Sequence, residues 1–354
     1  MWQTEEEYRT LPVETVPHPW IRFFARTLDL SIYGLLWAAF SQLILRFNSD
    51  NITFGTLIDS FIAYSIMLLL EPLLLSVWGS TPGKWIFGLV VRDRDGNKLS
   101  YRNAAARTWG VIGSGCGYGI PIYNLYRHYK SYKLCTEQQS LPWEEGYTYK
   151  IKDTKRYRQI FFIVILVLIT ALTYNVSLQA LMPIHRGDIT AVEYAENCNG
   201  FVRFSGYKLN RTMNEQGHWM EMQDTGRYEI SLGSGITPSH TIITEGDQVT
   251  GIKIEVELAN DKDSFVEGFA NQKLIAVMGF LAAQPQMNCF KLQNNNALKQ
   301  IRKSFENYTD YEAGLRIKNE VEYTGYYLVD DNLLVPNDEE KQYFHMIFTM
   351  EKAG

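Results

Sequence analysis

Three charged residues at the head of an apolar run could do chemistry inside a membrane. In WIRFFARTLDLSIYGLLWAAFSQLIL, residues 20–45, Arg22, Arg26 and Asp29 are spaced four and three apart. That spacing puts them on one face of a helix. An ionised side chain near the bilayer centre costs about 2.5–3.5 kcal/mol on insertion scales. A buried Arg26–Asp29 pair would therefore face protein, where it could bind a cation or relay a proton. The alternative is an interface pair, with both arginines snorkelling to water and Asp29 neutralising one of them. The residues alone give the two readings equal weight. Glu71 lies deeper, inside LIDSFIAYSIMLLLEPLLLSVW, residues 57–78. It is expected either to be protonated by desolvation or to pair with Arg26. Pro72 next to it frees a backbone carbonyl that could also bind a cation. A structural hydrogen bond to another helix is the plainer role for Glu71.

Two glycine-rich stretches resemble nucleotide sites and fail the test. In GSTPGKW, three residues separate Gly79 from Gly83-Lys84 and Trp85 follows, whereas a P-loop has four, then Ser or Thr. GSGCGYG, residues 113–119, has glycine at every second position and no βαβ surroundings. Small residues there would let backbones approach closely. The basic, tyrosine-rich YRHYKSYK, residues 126–133, follows an apolar segment. Its Arg127, Lys130 and Lys133, with Lys84 of the earlier turn, are therefore read as lipid-headgroup contacts, not nucleic-acid contacts.

In residues 185–354, His218, His240 and His345 have no Ser, Cys or Asp neighbour that suggests a triad. The chain is accordingly expected not to be an enzyme and to need no cofactor or metal. Cys198 and Cys289 could form a disulfide outside the cell, and a pair of buried thiols is as good a reading.

These residues are positioned by a chain of two unlike halves. The net charge of −5 over 354 residues averages an apolar first half with a polar second. Runs at about 23–45, 57–78 and 159–182 reach the roughly 20 residues needed to span. The acidic start, MWQTEEEYRTLPVETVPHP, does not look like a cleavable signal. Residues 108–126 are uncharged but glycine-rich, with basic flanks on both sides. They are expected to dip in and return, or to lie at the interface.

The second half alternates helix and strand signals. Thr190 and Glu193 form a capping box ahead of a helix, and Ser264 and Glu267 are read the same way before LIAVMGFLAAQ. NALKQIRKSFENY reads as a third helix. TIITEGDQVTGIKIEVEL reads as a hairpin turning at residues 245–247, and GLRIKNEVEYTGYYLVDDNLLVP and KQYFHMIFTMEK as further strands.

RFFARTLDLSI and GSTPGKWIFGLVVRDRDGNKLSYRNAAAR together resemble the RDD family of membrane proteins. The likeness covers residues 19 to about 152. The resemblance implies that Arg26 and Asp29 supply the name's Arg and first Asp. The second Asp is replaced here, in LPWEEGYTYKI, by Glu144 or Glu145. It also implies a membrane protein, some of whose relatives are thought to exchange sodium for protons.

The expected architecture is a membrane all-α bundle followed by a soluble α+β domain with an antiparallel sheet. Residues 1–19 form a cytoplasmic tail, 20–157 the RDD-like module and 158–184 a third spanning helix. Residues 185–354 form an extracytoplasmic domain. One functional reading is cation or proton transport through Arg26, Asp29, Glu71, Glu144 and Glu145, which with three spans requires a homo-oligomer. The other is a membrane-anchored binding or assembly protein whose outer domain recognises a partner. The topology is directly testable. Residues before 159 are basic and those after 182 nearly neutral, so a reporter fused at Gly354 should behave as exported. A cytoplasmic signal would reverse the assignment and make residues 108–126 a true span.

Overall fold

The computed structural model describes residues 18–137, 139, 141–144, 147–152, 155–207, 211–214, 216–221, 236–259, 265–337 and 341–353. They gather into two compact units, Met1–Ser177 and Leu178–Gly354.

The first unit is organised by three helices. Helix α1, Pro19–Ala39, starts on a proline, whose missing N–H is no loss in a first turn, and widens into a π turn at Phe40–Ile44. Helix α2 is Gly55–Val77 and contains Pro72. Helix α6 is Arg156–Ala180. All three are long and apolar enough to cross a membrane, and they match the expected runs to within a few residues.

Between α2 and α6 the chain makes a short helix, α3 (Pro82–Ile86), and a strand, β1 (Leu89–Asp93). Helix α4, Tyr101–Gly110, follows and runs on as a π turn at Val111–Gly115. After a break comes α5, Pro121–Thr136, and then β2, Tyr147–Ile151. Thus 108–126 is not one continuous helix. Gly117, Tyr118 and Gly119 all have positive φ (55°, 54° and 75°), a conformation open to glycine and strained for tyrosine. Strands β1 and β2 pair antiparallel from Leu89↔Ile151 to Asp93↔Tyr147. The sequence pattern alone marks no strand at 147–151. The strand character of that segment comes from a partner more than fifty residues away, which local pattern does not reveal.

In the second unit, α7 (Ala191–Ser205) opens with the expected capping box. Thr190 Oγ1 accepts from the Glu193 backbone and Glu193 returns the bond. Two short strands follow, β3 (Arg211–Met213) and β4 (Trp219–Glu221), paired with each other. The main sheet is antiparallel. Its strands are β5 (Ser239–Glu245), β6 (Gln248–Ala259), β8 (Tyr308–Glu312), β9 (Leu315–Thr324) and β12 (Tyr343–Lys352), in the order β5-β6-β12-β9-β8. Its buried side carries Ile252, Ile254 and Val256 of β6, Ile317 of β9, and Phe344, Met346 and Phe348 of β12. Those residues share one core with Val277, Met278, Phe280 and Leu281, a π turn that continues helix α8, Ala270–Ala276.

Two expected elements are corrected. Val266–Glu267 is not a helix start. It is a short strand, β7, pairing with β11 (Leu333–Pro336), which in turn pairs with β10 (Tyr326–Asp330). Ser264 lies outside the described residues. The helix at Asn296 (α10, Asn296–Gln300) also stops early. The Ser304 carbonyl accepts from Lys273 Nζ (3.2 Å) and Asn319 Nδ2 (3.4 Å), so side chains from elsewhere hold the backbone that a continued helix would use. Cys198 and Cys289 (in α9, Cys289–Gln293) are buried free thiols, not a disulfide. Cys198 Sγ donates to the Ile275 carbonyl and Gln179 Nε2 donates to Cys289 Sγ.

Lys273 is fully buried with its ammonium 5.9 Å from the Phe348 ring centre. Burial pushes its pKa down to about 7. An unfolded lysine titrates near 10.4, so between pH 7 and 10 the unfolded chain binds more protons than the folded one. Stability must then rise with pH across that window. Residues 178–354, whose core closes within the unit, should fold alone. Their Tm should climb by several degrees from pH 7 to pH 9, and Lys273→Met should flatten that rise and be the more stable at pH 7. A pH-independent Tm in the parent fragment would show that Lys273 stays charged.

Candidate functional site

The site is built where α1, α2, α3 and α4 meet. Helix α1 packs on α2 and α3, and α2 packs on α4. Glu71 is fully buried in α2. Three basic groups from three other elements converge on it. Arg26 of α1 forms an ion pair with Oε2, Lys84 Nζ of α3 is 2.8 Å from Oε1, and Arg107 Nη1 of α4 is 3.7 Å from Oε1. Arg26 also touches Met67 Sδ at 3.6 Å.

Asp29, equally buried, serves a different purpose from the one its spacing suggested. Its carboxylate accepts from Thr81 Oγ1 (2.5 Å) and from the Gly83 backbone N–H (2.7 Å), both at the first turn of α3. Lys84 Nζ lies 3.7 Å away. A carboxylate at a helix N-terminus meets the positive end of the helix dipole and satisfies an orphan amide. Gly83 permits this approach, because a Cβ there would run into the Ala25 carbonyl and the Asp29 side chain. The closest partner of Arg26 is thus Glu71, forty-five residues away, not its helical neighbour Asp29.

Lys84, expected at the headgroups, is instead buried and held by Glu71 and Thr81 Oγ1 (3.2 Å). The cause is α3, whose first turn is drawn inward by Asp29 and carries Lys84 with it. Burial, and next the charge of Arg26, lower the Lys84 pKa against the pull of Glu71 and Asp29. Arg22 forms an ion pair with Glu144 and lies 3.7 Å from Cys135 Sγ. Glu145 lies outside the described residues. Arg127 Nε donates to the Ser114 carbonyl (2.6 Å), while Lys130 and Lys133 are exposed, Lys133 beside Glu137 at 3.8 Å. Arg107, Thr81 and Gly83 were not singled out as site residues. The signal for them was present in the TPGK turn and in the last arginine of S-x-R-x-A-x-x-R, residues 100–107. No group of three His, Cys, Asp or Glu side chains suited to a metal occurs among the described residues.

Beside the cluster opens a cleft of about 540 Å³, within the usual range for small-molecule sites, roughly 300–1,000 Å³. Arg22, Arg26, Lys84 and Arg107 reach its surface, and the other walls are mainly apolar and aromatic.

Three helices long and apolar enough to cross a membrane, two of them sharing a buried ionic cluster, describe a helical module followed in the chain by a separate α+β unit. Residues 16–175 match the RDD family model, and that region is an RDD-family module. The match takes in Arg26, Asp29, Glu71, Lys84, Arg107 and most of α6, and leaves the second unit unassigned. No curated protein and no solved structure matches the chain.

The geometry separates two kinds of coupling. A double-mutant cycle on Arg26→Ala and Glu71→Ala should be strongly non-additive. Removing one partner alone should cost about 3–5 kcal/mol, and removing both should cost much less than the sum. The Arg26→Ala and Asp29→Ala cycle should come closer to additivity, and Asp29→Ala should resemble Thr81→Val in effect. Equal coupling in both cycles, read from thermal unfolding in detergent, would refute this division.

Proposed function

We propose that the chain is a membrane-integral binding protein, with the RDD-module cleft as its site and the ionic cluster as the frame around it. One observation carries this reading. Four basic side chains and no carboxylate appear among the described lining residues, while Asp29 and Glu71 sit behind them, already matched by protein donors. Around Glu71 the formal charges are three positive (Arg26, Lys84, Arg107) against two negative (Asp29, Glu71), a net +1. A cation 4 Å from that net charge meets repulsion on the order of 4 kcal/mol, taking an effective dielectric of 20. Binding, unlike transport, asks nothing more than the cleft that α1, α4 and α5 already line. The basic N-terminal flank of α6 and the nearly neutral segment after it support an N-terminus inside and a second unit outside the cytoplasm, where that unit would recognise its own partner.

A specific arrangement favours cation–proton exchange as the second reading. The Lys84 ammonium has Glu71 Oε1, Thr81 Oγ1 and Asp29 Oδ2 at 2.8, 3.2 and 3.7 Å. Its position is one that a metal cation could take once the lysine lost its proton and withdrew. Proteoliposomes holding a pH-sensitive dye decide between the readings. Under an imposed sodium or potassium gradient, the wild-type chain and Glu71→Gln should both leave the internal pH as in empty liposomes. A cation-driven pH change in wild type that Glu71→Gln abolishes would overturn the binding reading in favour of exchange.

A further inference from the structure

Helix α6 and the residues that follow it determine where the second unit meets the bilayer. Arg156 and Arg158 open the helix, and from Gln159 the chain carries no Asp, Glu, Lys or Arg until Arg186. A hydrocarbon core of about 30 Å takes roughly 20 residues of helix. Counted from Gln159, the helix leaves hydrocarbon near Leu178, and any tilt moves the exit later. The headgroup layer, about 5–7 Å on each side, takes the chain on to roughly residue 182. Those same residues already belong to the second unit. Ala180 and Met182 are buried, and Leu178 and Leu181 pack on the unit's apolar core. The core therefore begins in the headgroup layer, not at the end of a loose tether.

Further contacts tie the loop before α9 to this segment. Gln179 Nε2 donates to Cys289 Sγ (3.2 Å), and Arg186 donates to the carbonyls of Gln284 (3.2 Å) and Met287. The Gly187 amide donates to the Ala283 carbonyl (2.9 Å). Residues 283–289 are thereby held along the exit of α6. Two large apolar side chains are left open here, Ile184 (58 % exposed) and Phe290 (54 %). Phe290 directly follows Cys289, so its Cα is about 3.8 Å from that of a residue touching the last turn of α6. Lys291 is exposed beside it, and between Glu267 and Glu306 the chain has five basic residues and no acidic one. Large apolar side chains edged by cations, with no carboxylate to desolvate, suit a membrane–water interface. A protein partner would have to reach them through the headgroup layer, whereas lipid is already there.

We infer that the second unit is seated on the bilayer by Ile184 and Phe290, which enter the interfacial layer around the exit of α6 while Lys291 stays at phosphate level. The contact is with lipid as a layer, not with a single bound molecule. It is separate from the cleft of the first unit and holds on whichever side of the membrane the second unit lies.

The test uses the full chain in phosphatidylcholine–phosphatidylglycerol nanodiscs, with a nitroxide on Ile184→Cys or Phe290→Cys. The four native thiols are buried, so the unsubstituted protein serves as the labelling blank. Collisions with oxygen, which concentrates in lipid, are compared with collisions with a water-soluble nickel chelate. Leu168→Cys, an exposed position of α6, gives the hydrocarbon reference, and free nitroxide in buffer gives the aqueous one. At an insertion depth of about 5–10 Å, both labels should show an oxygen-to-nickel ratio roughly threefold or more above the aqueous reference, and below that of Leu168→Cys. Phe290→Asp, at an exposed position, should leave the Tm unchanged and should raise nickel collisions at the Ile184 label about twofold. Each position reports independently, so a variant that lowers the Tm leaves the other to decide. An aqueous ratio at the reporting positions would overturn the inference. Exclusion of both reagents there would overturn it in favour of a protein partner covering this surface.

Discussion

The fully buried carboxylate of Glu71 sets the terms for the first unit. A charge cannot rest in that interior without partners, and a lone helix offers it none. Arg26, Lys84 and Arg107 arrive from α1, α3 and α4, so satisfying one group draws four elements into contact. Buried ion pairs are rarely a net gain in stability over apolar packing, because desolvation offsets most of the Coulomb attraction. Their value here is geometric. Only the arrangement that places all three cations around Glu71 avoids a stranded charge, and that arrangement also sets the basic side of the cleft.

Asp29 adds a second constraint of the same kind. By accepting from Thr81 Oγ1 and the Gly83 amide, it fixes the first turn of α3 against α1. That turn delivers Lys84 to Glu71. The TPGK sequence is thereby explained residue by residue: Thr81 caps the helix and donates to Asp29, Pro82 suits the first helical position, Gly83 leaves room for α1, and Lys84 completes the ionic cluster. The resemblance to a phosphate loop is superficial, since the acidic group at this helix N-terminus belongs to the protein itself.

The second unit depends on a different balance. Its sheet has one face in a continuous apolar core with the Val277–Leu281 turn, and its exposed face carries paired charges such as Lys253–Glu255 and Lys318–Glu320. Lys273 stands out within that core because its ammonium meets a carbonyl and an aromatic ring, with no carboxylate paired to it among the described residues. The two units thus handle buried charge in opposite ways. The first matches each buried acid with basic groups, and the second pushes its buried base toward neutrality.

Much of the fold was legible in the sequence because its signals are local. Three apolar runs of spanning length, the Thr190–Glu193 capping box, the turn at Gly246–Asp247 and the period-two alternation of β6 each depend on neighbours within a few residues. The chemistry of Arg26, Asp29 and Glu71 was legible as a problem, since charge in an apolar helix demands a partner. The identity of each partner was not. Helical spacing favoured Arg26–Asp29, while packing joined Arg26 to Glu71 and Asp29 to α3, because side chains in a helical bundle are satisfied across interfaces as readily as along their own helix. The inward position of Lys84, the Arg22–Glu144 pair, the β1–β2 strand pairing and the strand at Val266–Glu267 share this origin. Each joins residues far apart in sequence, so its energy exists only once the chain has closed around it.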